Sequence, residues 1–166
     1  MQGVVIRPAA WSEQRWKNGR GVTHEIWRWG GDPFDLRLSV ARIDGPQEFS
    51  RFPGYLRALI PLDDSALTLE GKPLVKHRVF SFSGGVAMST AGSGSTRDLN
   101  VMSRVARGRA ETEIGTTTTH RGNVAVFALE AVTLNELPLG AMDTWIHLGD
   151  TEITLTASAP VVFVRF

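Results

Sequence analysis

The stretch LRLSVARI, residues 36–43, alternates apolar and polar side chains with a period of two residues. Successive side chains of a β-strand point to opposite faces, so this alternation predicts a strand with one buried face. We expect Leu36, Leu38, Val40 and Ile43 to lie mostly on one side of it. The same alternation dominates the rest of the chain.

Short runs of this kind recur along the sequence, with turn signals rich in Gly, Pro and Asp between them at intervals of about eight to twelve residues. The runs are ALTLEGKPLV (66–75), VFSFSGG (79–85), VAVFALEAVTL (124–134), TEITLTA (151–157) and the nearly continuous apolar VVFVRF (161–166). Residues 70–72 predict a hairpin turn. The best helical candidate is the short segment 12–16, with Ser12 as its cap. The pattern favours an all-β sandwich or barrel.

Two segments of unusual composition bear on the organisation of the chain. STAGSGSTR (89–97) has the most flexible composition and predicts either a linker between two halves or a long hairpin loop. TTTTHRG (116–122) predicts an edge strand, because threonine is a good strand former.

Length and composition exclude several classes of protein. The 166 residues suit one ordinary domain or two very small fused ones. The net charge of +1, with no basic stripe, predicts binding to neither nucleic acid nor an anionic membrane. The absence of cysteine excludes disulfides, thiolate metal sites and cysteine nucleophiles. No apolar run approaches the roughly 18 residues of a spanning helix, so we expect a cytoplasmic protein.

The histidines give no metal-binding signature. His24, His77, His120 and His147 are far apart in the sequence, whereas barrel metalloenzymes of the cupin kind usually carry two histidines separated by one residue. No G-x-S-x-G elbow and no phosphate-binding loop is present either. The sequence therefore predicts neither a metal nor another cofactor.

Two polar clusters remain as candidate sites. WKNGRGVTHEI (16–26) places nearly every kind of polar side chain beside Gly19 and Gly21, and its Thr23 and Glu25 share one strand face. RDLNVMSR (97–104) is the second cluster. Its alternation places four side chains of different chemistry on one face: Asp98, Asn100, Met102 and Arg104. We expect the two clusters to line one cavity, although each is also compatible with a solvated surface.

Three motifs resemble those of one known family. WKNGRGVTHEI is similar to the W-K-N-G-G-G-x-T-x-E-I signature of the HutD/Ves family. LRLSVARIDGPQEFSRFPGYLRAL (36–59) and RDLNVMSR resemble its second and third motifs, in the same order. The chain departs from the family at Arg20, where a glycine is usual, and at Leu36, where a tryptophan is usual.

The resemblance implies a cupin-like double β-barrel, or bicupin, in one compact unit over residues 1–166, with two pseudo-halves meeting near 90–105. It also implies a link to histidine-utilisation operons, or to the stress-associated branch of the family. For that family a regulatory role in binding small molecules has been proposed. The candidate ligand-binding residues are Trp16, Lys17, Asn18, Gly19, Gly21, Thr23, Glu25, Arg37, Arg57, Asp98, Asn100, Met102 and Arg104.

Three hypotheses of function follow. The first is a metal-free protein that binds a small anionic metabolite, with Arg104 as the expected carboxylate anchor. Arg37 and Arg57 are either further anchors or partners in buried ion pairs. The second is a metal-independent enzyme with Glu25 or Asp98 as general base. The third is a structural module in which the terminal strand VVFVRF supports a homodimer.

Overall fold

A computed structural model describes residues 2–16, 19 and 21–166 of the chain. These residues form a nearly all-β structure with two short 3-10 turns, Pro8–Ala10 and Val105–Arg107. In chain order, the strands are β1 Val4–Ile6, β2 Ser12–Arg15, β3 Val22–Trp29, β4 Leu36–Asp44, β5 Gln47–Glu48, β6 Tyr55–Pro61, β7 Ala66–Leu69, β8 Lys72–Pro73, β9 Phe80–Ser83, β10 Ser89–Ser93, β11 Ser95–Arg104, β12 Glu111–Arg121, β13 Val124–Ala128, β14 Val132–Leu134, β15 Leu137–Leu139, β16 Thr144–His147 and β17 Glu152–Arg165. The all-β prediction is confirmed.

The chain divides into two compact units. One contains Met1–Trp11 together with Ala110–Phe166, and the other contains Ser12–Arg109. The return of the N-terminal strand to the C-terminal half is not visible in the periodicity, because strand pairing over such a separation leaves no local signal. The prediction of a single bicupin unit over residues 1–166 stays a prediction.

The unit that holds both chain ends is built on one seven-stranded sheet in the order β1-β16-β13-β17-β14-β15, with β12 also paired to β17. Residues 161–165 of the segment VVFVRF form the end of β17, where they pair with β12 on one edge and β13 on the other. Val161 to Val164 are at most 1% exposed. This terminal strand is therefore part of the core of its unit, and the homodimer that it was expected to support stays a prediction.

The other unit, Ser12–Arg109, contains a six-stranded sheet and a four-stranded sheet. Their orders are β2-β3-β4-β11-β6-β9 and β5-β10-β7-β8. Ile43 and Leu59 of the larger sheet pack in one buried cluster with Leu67 and Leu69 of the smaller one. Both sheets therefore share an apolar core, and the residues of the candidate site lie in this unit.

Several local predictions can be compared with these strands. The turn at 70–72 and the edge strand over 116–122 are confirmed, since β7 pairs with β8 and β12 pairs only with β17 among the described residues. The helix predicted at 12–16 is wrong, because Ser12–Arg15 pairs with β3 as a strand. Residues 89–97 are neither linker nor long loop, because β10 pairs with β5 and β7. In both cases, hydrogen bonds to a distant strand outweigh the local composition.

None of the helical segments among the described residues is long or apolar enough to cross a lipid bilayer.

Candidate functional site

Strand register aligns the site residues across three neighbouring strands. β11 lies between β4 and β6 and pairs antiparallel with both. Met102 is level with Arg37 on one side and Arg57 on the other, and Asn100 is level with Ser39 and Leu59. Side chains that are level across a sheet point to the same face. The sheet therefore presents a row with two arginines, followed by a row with an amide and a hydroxyl group.

These rows form one wall of a cavity of about 510 Å³ inside the unit Ser12–Arg109. Both predicted polar clusters contribute to it, as expected. The predicted site residues that line the cavity are Trp16, Thr23, Arg37, Arg57, Asp98, Asn100 and Met102. Ile43 also lines it, on the side of Ser39 and Ala41, whereas the alternation had grouped it mostly with Leu36.

Arg57 is the central cation of the cavity. It is 8% exposed, and its guanidinium carbon lies 5.1–5.5 Å from the ring centroids of Phe49, Phe52 and Phe82. The aromatic faces attract the charge and restrict the side chain to one position. Nη1 donates to the carbonyl oxygen of Ser50 at 3.1 Å, while the buried Nε has no hydrogen-bond partner among the described residues. Burial lowers the pKa of Arg57 below its ordinary value.

Asn100 links Arg57 to a buried acid. Nη2 of Arg57 donates to Oδ1 of Asn100 at 3.0 Å, and Nδ2 of Asn100 donates to Oδ2 of Asp98. The other carboxyl oxygen of Asp98 is buried and has no hydrogen-bond partner among the described residues. Burial raises the pKa of Asp98 to about 7, although the charge of Arg57 and the Asn100 hydrogen bond both act to lower it.

Arg37 and Glu25 form an ion pair beside the cavity. Nε of Arg37 lies 3.4 Å from Oε2 of Glu25, and the same oxygen accepts a hydrogen bond from Arg28 at 2.8 Å. Burial lowers the pKa of Arg37. Glu25 does not line the cavity itself, so it acts on the site by compensating the charge of Arg37.

The first cluster contributes an indole ring to the wall. Nε1 of Trp16 donates to Oγ1 of Thr23 at 2.8 Å, which fixes the ring at the end of β2. A Cβ atom at Gly21 would lie 2.7 Å from this ring. Gly21 is therefore required for the packing of Trp16, and it does not line the cavity. Gly19 has a φ of +69°, as expected for a turn glycine, and is exposed.

Arg104 does not belong to the cavity. Its Nε and Nη2 donate to Oδ1 of Asp35, the former at 3.0 Å. Alternation places Arg104 on the face of Asn100, but it is the last residue of β11, beyond the part of that face that lines the cavity. Arg57 therefore lines the cavity, whereas Arg104 is held by Asp35 outside it. Lys17, Asn18 and Arg20 lie outside the described residues.

Sequence reasoning missed the aromatic residues around Arg57 and the hydroxyl group of Ser39. Phe49 and Phe52 belong to the second motif, and their proximity to Arg57 within it was the available signal. Phe82 contacts Arg57 through the pairing of β6 with β9, which no local pattern shows. Ser39 follows Arg37 at the strand period, so the polar set of LRLSVARI could have identified it.

The described part of the chain contains no group of three or more His, Asp or Glu residues that could hold a metal ion. The metal-free prediction remains a prediction, since it concerns the protein in solution.

The chain is similar in sequence to curated proteins whose names state no activity. It is 36% identical over 122 residues to protein Ves of Citrobacter koseri, covering 66% of this chain and 64% of the relative. It is also 36% identical over 115 residues to an uncharacterized 21.2 kDa protein encoded in the hutC 3' region of Pseudomonas putida, covering 64% of this chain and 60% of the relative. The match thus spans less than two thirds of either relative.

Solved structures extend the similarity to nearly the whole chain. HutD from Pseudomonas fluorescens SBW25, solved in a formate condition, matches with a TM-score of 0.88 at 26% identity, over 99% of this chain and 97% of that one. A cupin 2 conserved barrel domain protein from Leptotrichia buccalis matches with a TM-score of 0.54 at 7% identity, over 88% of each chain, and shows the fold alone. The fold is cupin-like, as predicted. Since the HutD family model matches residues 9–163, the chain belongs to the HutD family.

Proposed function

We propose that this chain is a metal-free binding protein for a small anionic metabolite and that it acts in regulation. The observation that carries the proposal is Arg57, a buried guanidinium on the cavity wall whose Nε lacks a partner among the described residues. Arginine presents five donors in a planar fork that suits a carboxylate. Arg57 uses two of them for Ser50 and Asn100, which leaves donors for a ligand.

The cavity also suits a ligand in size and polarity. Its volume of about 510 Å³ is within the range of small-molecule sites. Phe49, Phe52 and Met102 supply apolar wall, while Asn100 and Ser39 supply hydrogen-bonding groups close to Arg57. This arrangement favours a carboxylate that carries a further polar group a short distance away.

The family context narrows the ligands to be tested. The Pseudomonas putida relative is named by its position beside hutC, and the HutD structure from Pseudomonas fluorescens was solved in a formate condition. Urocanate and formylated or formiminated glutamate are carboxylates with an imidazole, amide or imine group, and they are therefore suitable candidates. Formate serves as the smallest carboxylate probe.

A thermal-shift experiment tests the proposal. Binding to the native state alone stabilises a protein by about 2.7 kcal/mol at a hundredfold excess over Kd. For a chain of this size that corresponds to a rise in Tm of roughly 5–11 °C. We expect at least one acid of the panel to produce a dose-dependent shift towards this range.

Matched substitutions locate the site. Arg57→Met retains apolar bulk among the three phenylalanines but removes the charge, so the ligand-induced shift should disappear. Arg104→Met makes the same chemical change at the Asp35 pair outside the cavity. That variant should keep the shift even if its own Tm is lower. No shift with any acid, or an equal shift in the Arg57→Met variant, would refute the proposal.

One observation favours a second candidate function, a metal-independent acid–base enzyme. Asp98 lines the cavity and has a pKa of about 7, which suits a general acid or base near neutral pH. Arg57 would stabilise negative charge that develops on a substrate. Glu25, the other predicted base, does not line the cavity and is paired with Arg28 and Arg37, so it is disfavoured.

Product analysis separates the two functions. The panel acids would be incubated with the protein and followed by NMR. Conversion that disappears in the Asp98→Asn variant, with binding retained, supports the enzyme, and binding without conversion supports the regulatory protein. A homodimer stays a prediction that would need a surface other than VVFVRF.

A further inference from the structure

The buried acid of the cavity is held in one orientation by its neighbours. Asp98 is 1% exposed, and its Oδ2 accepts the hydrogen bond from Asn100. The amide of Asn100 cannot be reversed without losing a hydrogen bond, because its Oδ1 accepts one from Nη2 of Arg57 at 3.0 Å. Oδ1 of Asp98 is therefore the oxygen left for a proton, and it has no hydrogen-bond partner among the described residues.

Charge balance determines what happens when an anion arrives. Asp98 and Arg57 are separated by one amide group, so an ionised Asp98 already compensates the guanidinium. A bound carboxylate at Arg57 adds a second negative charge beside the buried Asp98. Two carboxylates that share a site raise each other's affinity for a proton, so that one of them becomes neutral.

Among the described residues, no other charge of the cavity substitutes for this compensation. Arg37 on β4 already faces Glu25 of β3 at 3.4 Å. Arg15 on β2 and Glu48 on β5 also line the cavity, but both are exposed and screened by solvent. The strand neighbours level with Asp98 are Ala41 on β4 and Pro61 on β6, which do not titrate.

We infer that the cavity takes up its carboxylate together with one proton, which the carboxyl group of Asp98 holds at Oδ1. This inference rests on the proposed function and specifies how its ligand class is bound. The ligand carboxylate binds at Arg57 and the proton binds at Asp98, so together they amount to one neutral acid. Burial already raises the pKa of Asp98 to about 7 before any ligand is bound. Uptake of the proton is therefore expected at and above neutral pH.

The test uses formate, which stays ionised throughout the pH range. We expect its Kd to be nearly constant below about pH 6 and to weaken roughly twentyfold between about pH 6.5 and about pH 8.5. Calorimetry at about pH 8, in two buffers of different ionisation enthalpy, should show uptake of close to one proton for each formate bound.

Two variants complete the experiment. Asp98→Asn mimics the protonated acid, because its amide can accept from Asn100 and still carry hydrogens on the other side. It should bind formate with a Kd that does not vary with pH and without proton uptake. Asp63→Asn removes an acid that pairs with Arg97 outside the cavity lining and should retain the pH dependence.

The outcomes separate this inference from the proposal beneath it. Formate binding with a Kd independent of pH in the wild type, or unchanged pH dependence in the Asp98→Asn variant, would overturn the inference and leave the anion site intact. Absence of formate binding at every pH, with the protein folded by circular dichroism, would overturn both.

Discussion

Replacing Asp98 with asparagine removes a titratable group from the cavity. The side chain at position 98 keeps nearly the same size and shape. In the free protein, burial raises the pKa of Asp98 from 3.8 to about 7. At pH values between these two pKa values, Asp98 is therefore protonated in the native state and ionised in the unfolded chain. The stabilising contribution of this proton is complete below pH 3.8 and is lost as the pH rises through about 7.

The size of the effect follows from the two pKa values. Each pKa unit corresponds to 1.36 kcal/mol, so a shift of about three units is worth about 4 kcal/mol in all. Of this, roughly two thirds is lost between pH 5 and pH 8. We expect the wild type to lose that much stability relative to the Asp98→Asn variant over this interval. The difference in Tm should change by roughly 5–10 °C.

Urea denaturation at pH 5, 6, 7 and 8 measures the difference directly. All other titrating groups are common to both proteins, so their contributions cancel when the two free energies of unfolding are subtracted. Asp63→Asn is the control. The Arg97 side chain lowers the pKa of Asp63 to about 2, so its ionisation is complete throughout this range. Parallel stability curves for wild type and Asp98→Asn would show that the buried carboxyl is not protonated near neutrality.

Two further predictions concern packing and metal content. Gly21→Ala should lower the free energy of unfolding by about 1–3 kcal/mol, because its Cβ would lie 2.7 Å from the Trp16 ring. Gly31→Ala, which meets no atom within 4 Å, should be nearly neutral, and equal losses in the two variants would contradict this explanation. Elemental analysis after tag removal should find well under one equivalent of zinc, iron or nickel, because the described residues contain no cluster of ligands. A value near one equivalent would refute the metal-free assignment.

The sequence alone determined the class of the fold and part of the cavity lining. Period-two alternation does not depend on partners, so it identified β4 and the common face of Leu36, Leu38 and Val40, although it misplaced Ile43. The order of three motifs identified the family, and with it Arg57, whereas alternation in RDLNVMSR identified Asp98 and Asn100. The polar clusters 16–26 and 97–104 could be joined in one hypothesis because each was expected to place polar groups on one face of a strand.

Tertiary structure decided which of those residues line the same cavity and what pKa the buried acid among them has. The sequence favoured Arg104 over Arg57 as the carboxylate anchor, but register places Arg57 level with Met102 in the cavity, whereas Arg104 pairs with Asp35. The pKa of Asp98 depends on its removal from water, which no local pattern records. Strand pairing and burial are properties of residues far apart in the chain, and local side-chain patterns do not encode them.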